Sequence, residues 1–220
     1  MYSPSPRERE FIAYLTNLTK RDERAALAAL RRGLGRRPGE VPAMFPYVAP
    51  FIHESDSEWR EDAYYLVAAL FALHQLPWEG DEAGPWRRNL GASFRILSDK
   101  KQKGVAQKPD QGNGDKQEHN PGGRNAAVEK RFTVLLGSHR EDLPEHLRHA
   151  VALLKSEDVP IDWALLLHDV QSWDLDWRPV QREWARGFWG AQQDWSSADG
   201  DSADDLPEGE DDYPNEPSLL

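Results

Sequence analysis

The chain has 220 residues, with 27 Lys+Arg against 38 Asp+Glu, 39% hydrophobic residues and no cysteine. That suffices for a core in one compact domain or two small ones, and the missing thiols exclude a disulfide framework and thiolate metal sites. No apolar run approaches the ~20 residues that span a bilayer, and the opening MYSPSPRERE has no secretory apolar stretch, so a cytoplasmic protein is expected.

In chain order, Ser5-Pro6 starts a helix with Phe11, Ile12, Leu15 and Leu18 on one face. Asp22 is a candidate cap for a second helix carrying Leu27, Leu30 and Leu34, which Gly33 and Gly35 would stop. Pro38, Pro42, Pro46 and Pro50 make 36–51 a loop. A strong helix follows over 58–76, with Tyr65, Leu66, Ala69, Leu70 and Leu73 inward, then another over 87–100 burying Leu90, Phe94 and Leu97.

Helical spacing resumes at 126–136 with Val128, Phe132, Leu135 and Leu136, and at 143–155 with Leu143, Leu147, Val151 and Leu154. An apolar helix over 161–173 and a last one over 179–189, with Val180, Trp184 and Phe188 aligned, complete the set. No stretch alternates as a half-buried strand does. The expected class is all-α: two small helical bundles joined by a flexible linker, with a disordered acidic C-terminal tail.

The boundaries follow composition. Residues 104–123, rich in Gly, Asn, Gln, Asp and Lys, read as the linker between an N-terminal bundle at 5–103 and a C-terminal bundle at 124–193. Residues 194–220 hold ten acidic residues and no Lys or Arg, as a disordered tail does. Taking those ten from 38 leaves 28 acids against 27 bases over 1–193, a net of -1. The acidic total is therefore a property of the tail and does not exclude an anionic partner for the helical part.

Catalytic signatures are absent. There is no glycine loop ending in Lys-Ser/Thr, no G-x-G-x-x-G after a strand, and no serine in a nucleophile elbow. Asp169, Asp174 and Asp176 form the best cluster for a metal, yet Asp174 and Asp176 stand between two helices, where capping carboxylates belong. His139, His146 and His149 lack further ligands at metal spacing and read as surface residues. No enzyme, cofactor or metal is expected.

The remaining signal is basic residues on helix faces. Arg88 and Arg95 are seven apart, as are Arg148 and Lys155, so each pair lies about 20° apart around a helix. Arg24, Arg31, Arg32, Arg36 and Arg37 make the start of the chain basic, with nine Lys+Arg against four acids over 1–37. Lys130 and Arg131 follow the linker, and Arg182 and Arg186 lie on the last helix. One such pair is ordinarily a solvated face; their number across several helices points to a track for a phosphate backbone, whose binding releases counterions and depends on salt. Five of nine tryptophans fall between Trp163 and Trp189; core packing is the first reading for them and protein docking the second.

The segments ALAALRRGLG at 26–35, DAYYLVAALFALH at 62–74, NLGASFRIL at 89–97, EKRFTVLLGS at 129–138, LPEHLRHAVALLKSEDVPIDWALLLHDVQSW at 143–173 and VQREWARGFW at 180–189 resemble, in this order, the CasB family. That family is the small subunit of the type I-E CRISPR Cascade complex. The resemblance implies a non-catalytic, all-helical subunit, present in two copies, that contacts the backbone and large subunits. It further implies contact with crRNA and with the target and displaced DNA strands of the R-loop, through a stripe of arginines and lysines. On this chain the stripe falls on Arg31, Arg32, Arg95, Lys130, Arg131 and Arg148; Arg88 and Lys155 join them by spacing. The 104–124 insertion and the acidic tail depart from the family pattern. The rival expectation is a helical scaffold docking proteins through its Trp-rich C-terminal half, without nucleic-acid contact.

Overall fold

Helix α1 (Pro6–Lys20) begins with a capping box: the Ser5 hydroxyl accepts the Glu8 amide while the Glu8 carboxylate accepts the Ser5 amide, satisfying two N-terminal donors at once. Its Phe11, Ile12, Leu15 and Leu18 are buried, as their spacing requires. The computed structural model describes residues 3–78, 88–106 and 125–190. The acidic tail, and the linker from residue 107 onward, lie outside these residues.

Helix α2 (Arg24–Arg31) is shorter than its apolar spacing suggested and starts one residue after Glu23, which makes no side-chain cap. Asp22 takes a positive φ of 54° and turns its carboxylate to Arg24 instead of capping. The proline-rich stretch is more ordered than a loop. It contains a 3-10 turn at Pro42–Met44, the one-turn helix α3 (Phe45–Val48) and a second 3-10 turn at Ala49–Phe51. The reason is that proline at the first helical positions fixes φ where no amide donor is missed, so spaced prolines seed successive turns.

Helix α4 (Glu58–Leu73) buries every residue from Ala63 to Ala72, which makes it the central helix, since only a helix covered all round is apolar all round. It packs against α2 and α3 on one side and against α7 (Leu143–Lys155) and α8 (Trp163–Gln171) on the other. Helix α5 (Leu90–Ala106) begins later than expected and runs through the first residues assigned to the linker. It packs on α6 (Ala126–Gly137) and α9 (Pro179–Trp189).

The two bundles expected on either side of the linker thus meet along α4–α8, α1–α8 and α5–α9 and share one continuous core. Polar ties cross the same seam: His74 Nε2 to the Val159 carbonyl at 2.7 Å, Ser93 Oγ to the Pro160 carbonyl at 2.7 Å, and Trp59 Nε1 to the Val170 carbonyl at 2.9 Å. Trp163, Trp173 and Trp184 are buried, each large ring contributing on the order of 2–3 kcal/mol of burial. Among the described residues there is one isolated bridge, Pro77 with Ile161, and no helix long and apolar enough to cross a membrane.

Candidate nucleic-acid interface

Two neighbouring helices build a cationic depression. Asn125 caps α6 through Oδ1, which accepts the Val128 amide at 3.2 Å. Burial of Val128, Phe132 and Leu135 then forces Lys130, Arg131 and Val134 outward. On α7, Leu147, Val151 and Leu154 face the core, which turns His146 and His149 toward α6. Between them runs a groove of about 750 Å³, floored by apolar side chains including Val134, Leu135, Ala150 and Leu153. Among the described residues its ionisable lining groups are Lys130, Arg131, His146 and His149; no carboxylate is among them, although the Glu145 carboxylate stands 3.2 Å from His149 Nε2 at the edge.

A second, smaller cleft of about 250 Å³ lies between the Gly33–Pro38 turn, α4 and the start of α7. Arg36, Arg37 and Arg148 border it together with Glu141 and Glu145. Gly35 and Gly39 shape the turn with φ of 71° and 75°, a region open to glycine. Arg148 forks onto Glu145, with Nε 2.9 Å from Oε2. That bond holds the Glu145 carboxyl below its usual value and raises the arginine. Charge is more balanced here than in the larger groove.

The residues expected to bind nucleic acid therefore separate. Lys130 and Arg131 share the α6–α7 groove, and Arg148 borders the adjoining cleft. Lys155 is exposed on the last turn of α7, seven residues from Arg148 on one helix, as the spacing predicted. Arg32 is exposed near the end of α2. Arg31 instead donates Nε and Nη2 to the Ala72 carbonyl at 3.1 and 2.9 Å, at the C-terminus of α4. Arg95 donates Nη1 to the Gly190 carbonyl at 2.9 Å, at the end of α9. Guanidinium groups suit such positions because the last turn of a helix leaves carbonyls unpaired and carries partial negative charge. Arg88 precedes α5 by two residues, so its spacing from Arg95 is not that of one helix.

In the sequence His146 and His149 stand as surface residues with nothing that joins them to Lys130 and Arg131. Their spacing of three on one helix is the available signal, and the facing helix cannot be known from it. Arg36 and Arg37 stand in the sequence only as local charge. The aspartates do not converge: Asp169 is buried and accepts Trp184 Nε1 at 2.5 Å, Asp174 lies 3.3 Å from Arg140, and Asp176 is exposed. Among the described residues no group of three His, Asp or Glu side chains is placed to hold a metal ion.

Comparison with known proteins agrees with this architecture. The family model for CRISPR-associated protein Cse2 matches residues 26–189. A CRISPR-associated protein Cse2 from Thermus thermophilus is 37% identical over 192 residues, 85% of this chain and 92% of that protein. The crystal structure of CasB from Thermus thermophilus superposes with a TM-score of 0.61 at 34% identity, covering 85% of this chain and 99% of its own. A chain of a CRISPR RNA-guided surveillance complex superposes with a TM-score of 0.59 at 28% identity, covering 83% and 91%. The chain belongs to the Cse2 (CasB) family of CRISPR-associated proteins.

Proposed function

We propose that this chain is the small subunit of a crRNA-guided CRISPR Cascade surveillance complex and holds nucleic-acid strands without catalysing a reaction. The observation that carries the reading is the α6–α7 groove, where Lys130, Arg131 and two histidines border an apolar floor with no carboxylate among the described lining residues. Lys130 and Arg131 neutralise successive phosphates and release their counterions. The apolar floor gives sugars and base faces contact without a hydrogen-bond code, so binding is indifferent to sequence. Lys155 adds a cation on the last turn of α7, and Arg36 and Arg37 add two more at the smaller cleft, where Glu141 and Glu145 partly offset them.

In this reading guide pairing supplies sequence recognition, while the protein reads backbone and charge. The target and displaced strands of the R-loop, and the crRNA, are the nucleic-acid partners. The backbone and large subunits and a second copy of the chain are the protein partners, as the family relation suggests. The test is single-stranded DNA binding by fluorescence polarisation across a salt series, comparing wild type with Lys130→Ala/Arg131→Ala. Each lost phosphate contact should flatten the log–log salt slope by about 0.7, so the double variant should lose about 1.4 together with affinity. An unchanged slope and affinity in a folded double variant contradicts the groove as the strand site.

A further inference from the structure

His146 and His149 stand on the side of α7 that meets α6 and line the groove between the two helices, His146 half-buried and His149 exposed. Lys130 and Arg131 face them from α6, α5 contributes Phe94 to the lining, and α4 contributes no lining residue. On α7 itself the Glu145 carboxylate is 3.2 Å from His149 Nε2, and Arg148 Nη2 is 3.0 Å from the same nitrogen. Glu145 and Arg148 are bound to each other, so their opposite charges cancel at the edge of the groove. Other acids nearby stand outside the lining: Glu129 accepts Trp189 Nε1 at 3.0 Å, Glu157 pairs with Lys101, and Asp142 is exposed before the first turn of α7. The lining thus carries two positive charges, on Lys130 and Arg131, when both imidazoles are neutral, and four when both are protonated.

We infer that His146 and His149 are further strand-binding residues of this groove and take up protons as phosphates enter it, so that the hold on a strand tightens as pH falls. A neutral imidazole offers one N–H donor, whereas the imidazolium offers two together with a positive charge. A phosphate beside it favours the charged form. The contact of Arg148 with His149 suits a neutral ring whose Nε2 accepts; once protonated, Nε2 donates instead, to Glu145 or to an entering phosphate oxygen. The bound state then holds more protons than the unbound state. By linkage, affinity rises on acidification through the range in which histidine changes charge and is level above it. The inference rests on the reading of the α6–α7 groove as the strand site and adds to it two residues and a proton.

The test is binding of the full chain to a fluorescent oligothymidine strand, by polarisation across a salt series at about pH 8, 7 and 6, which brackets the ordinary titration of histidine. Wild type is compared with His146→Gln/His149→Gln and with His139→Gln. His139 is exposed between α6 and α7 but does not line the groove, so its variant controls for charge gained elsewhere on the protein. Wild type and His139→Gln should bind about fivefold or more tightly at the acid end than at the alkaline end. Their log–log salt slope should steepen over the same range by up to about 1.4, about 0.7 for each imidazolium that meets a phosphate. The groove double variant should show neither change. A double variant that tightens and steepens as wild type does overturns the inference, because the protons would then enter elsewhere. Wild type that binds with a salt dependence but no pH dependence also overturns it and leaves the functional reading standing. No binding by wild type at any pH contradicts the two together.

Discussion

Replacing Gly91 by alanine perturbs the contact that joins α5 to α9. A Cβ on Gly91 would stand 1.9 Å from the Trp184 carbonyl oxygen and 2.7 Å from its carbon. Both are backbone atoms, so no side chain can rotate away; one helix must move by more than about 1 Å to restore van der Waals contact. Two effects oppose one another. Alanine favours a helix over glycine by about 0.5–1 kcal/mol, and less in a first turn such as this one. Overpacking costs about 1–3 kcal/mol and sometimes more. The displacement also strains the bonds that accompany the approach, Asn89 Nδ2 to the Glu183 carbonyl at 2.8 Å and Arg95 to the Gly190 carbonyl. Sterics win, and the variant should be destabilised by about 2 kcal/mol or more. Urea unfolding followed by circular dichroism should show a midpoint lower by roughly 1 M at an unchanged slope. Gly137→Ala on α6, with nothing within 4 Å of its Cβ, is the control and should be near neutral. A Gly91→Ala midpoint equal to or above wild type would refute the reasoning, because propensity alone would then decide.

Further predictions concern the polar seam and the arginines. His168 Nδ1 lies 3.4 Å from the Glu8 carboxylate, joining α8 to α1. The bond to Glu8 raises His168 above its ordinary value against burial and Arg60, with Asp169 adding to the rise. Burial pushes Glu8 up, but the bonds from His168 and Ser5 outweigh it and leave the carboxyl below its ordinary value. The histidine contribution is therefore complete below about pH 6.5 and lost as pH rises through its elevated folded value, while the Glu8 contribution is complete above about pH 4.3 and lost on acidification. His168→Gln should flatten the decline in melting temperature on the alkaline side of that window, and an unaltered pH profile would refute the link. Arg31→Ala and Arg95→Ala should each lower stability by about 1 kcal/mol in urea, since each removes a charged donor from helix-end carbonyls; Lys130→Ala/Arg131→Ala should not. Stability equal to wild type in Arg31→Ala and Arg95→Ala would refute the stabilising role of these bonds.

Most of the helices are readable because each buries one stripe against a shared core; α4, covered all round, is the exception. Phe11, Leu15 and Leu18 on α1, Leu147, Val151 and Leu154 on α7, and Val180, Trp184 and Phe188 on α9 all face inward as their spacing required. Local text failed where a distant partner decides. Arg31 and Arg95 bind carbonyls 41 and 95 residues away, a pairing that helix spacing does not encode. The helical turns over 42–51 were hidden because spaced prolines read as breakers when their position within a turn is unknown. The groove depends on which face of α6 meets α7, a packing fact that neither helix encodes alone. Trp177 is 80% exposed where Trp173 and Trp184 are buried, a difference that composition does not carry.

The central claim is that a nucleic-acid strand lies in the α6–α7 groove of the assembled complex. Its most direct measurement is crosslinking from a photoreactive residue placed at Val134, which is 52% exposed in that groove, using the crRNA-guided complex bound to target DNA. A crosslink to a DNA or RNA strand is expected, weakened by Lys130→Ala/Arg131→Ala. Crosslinks to protein subunits alone, from a complex that has opened its target, would contradict it.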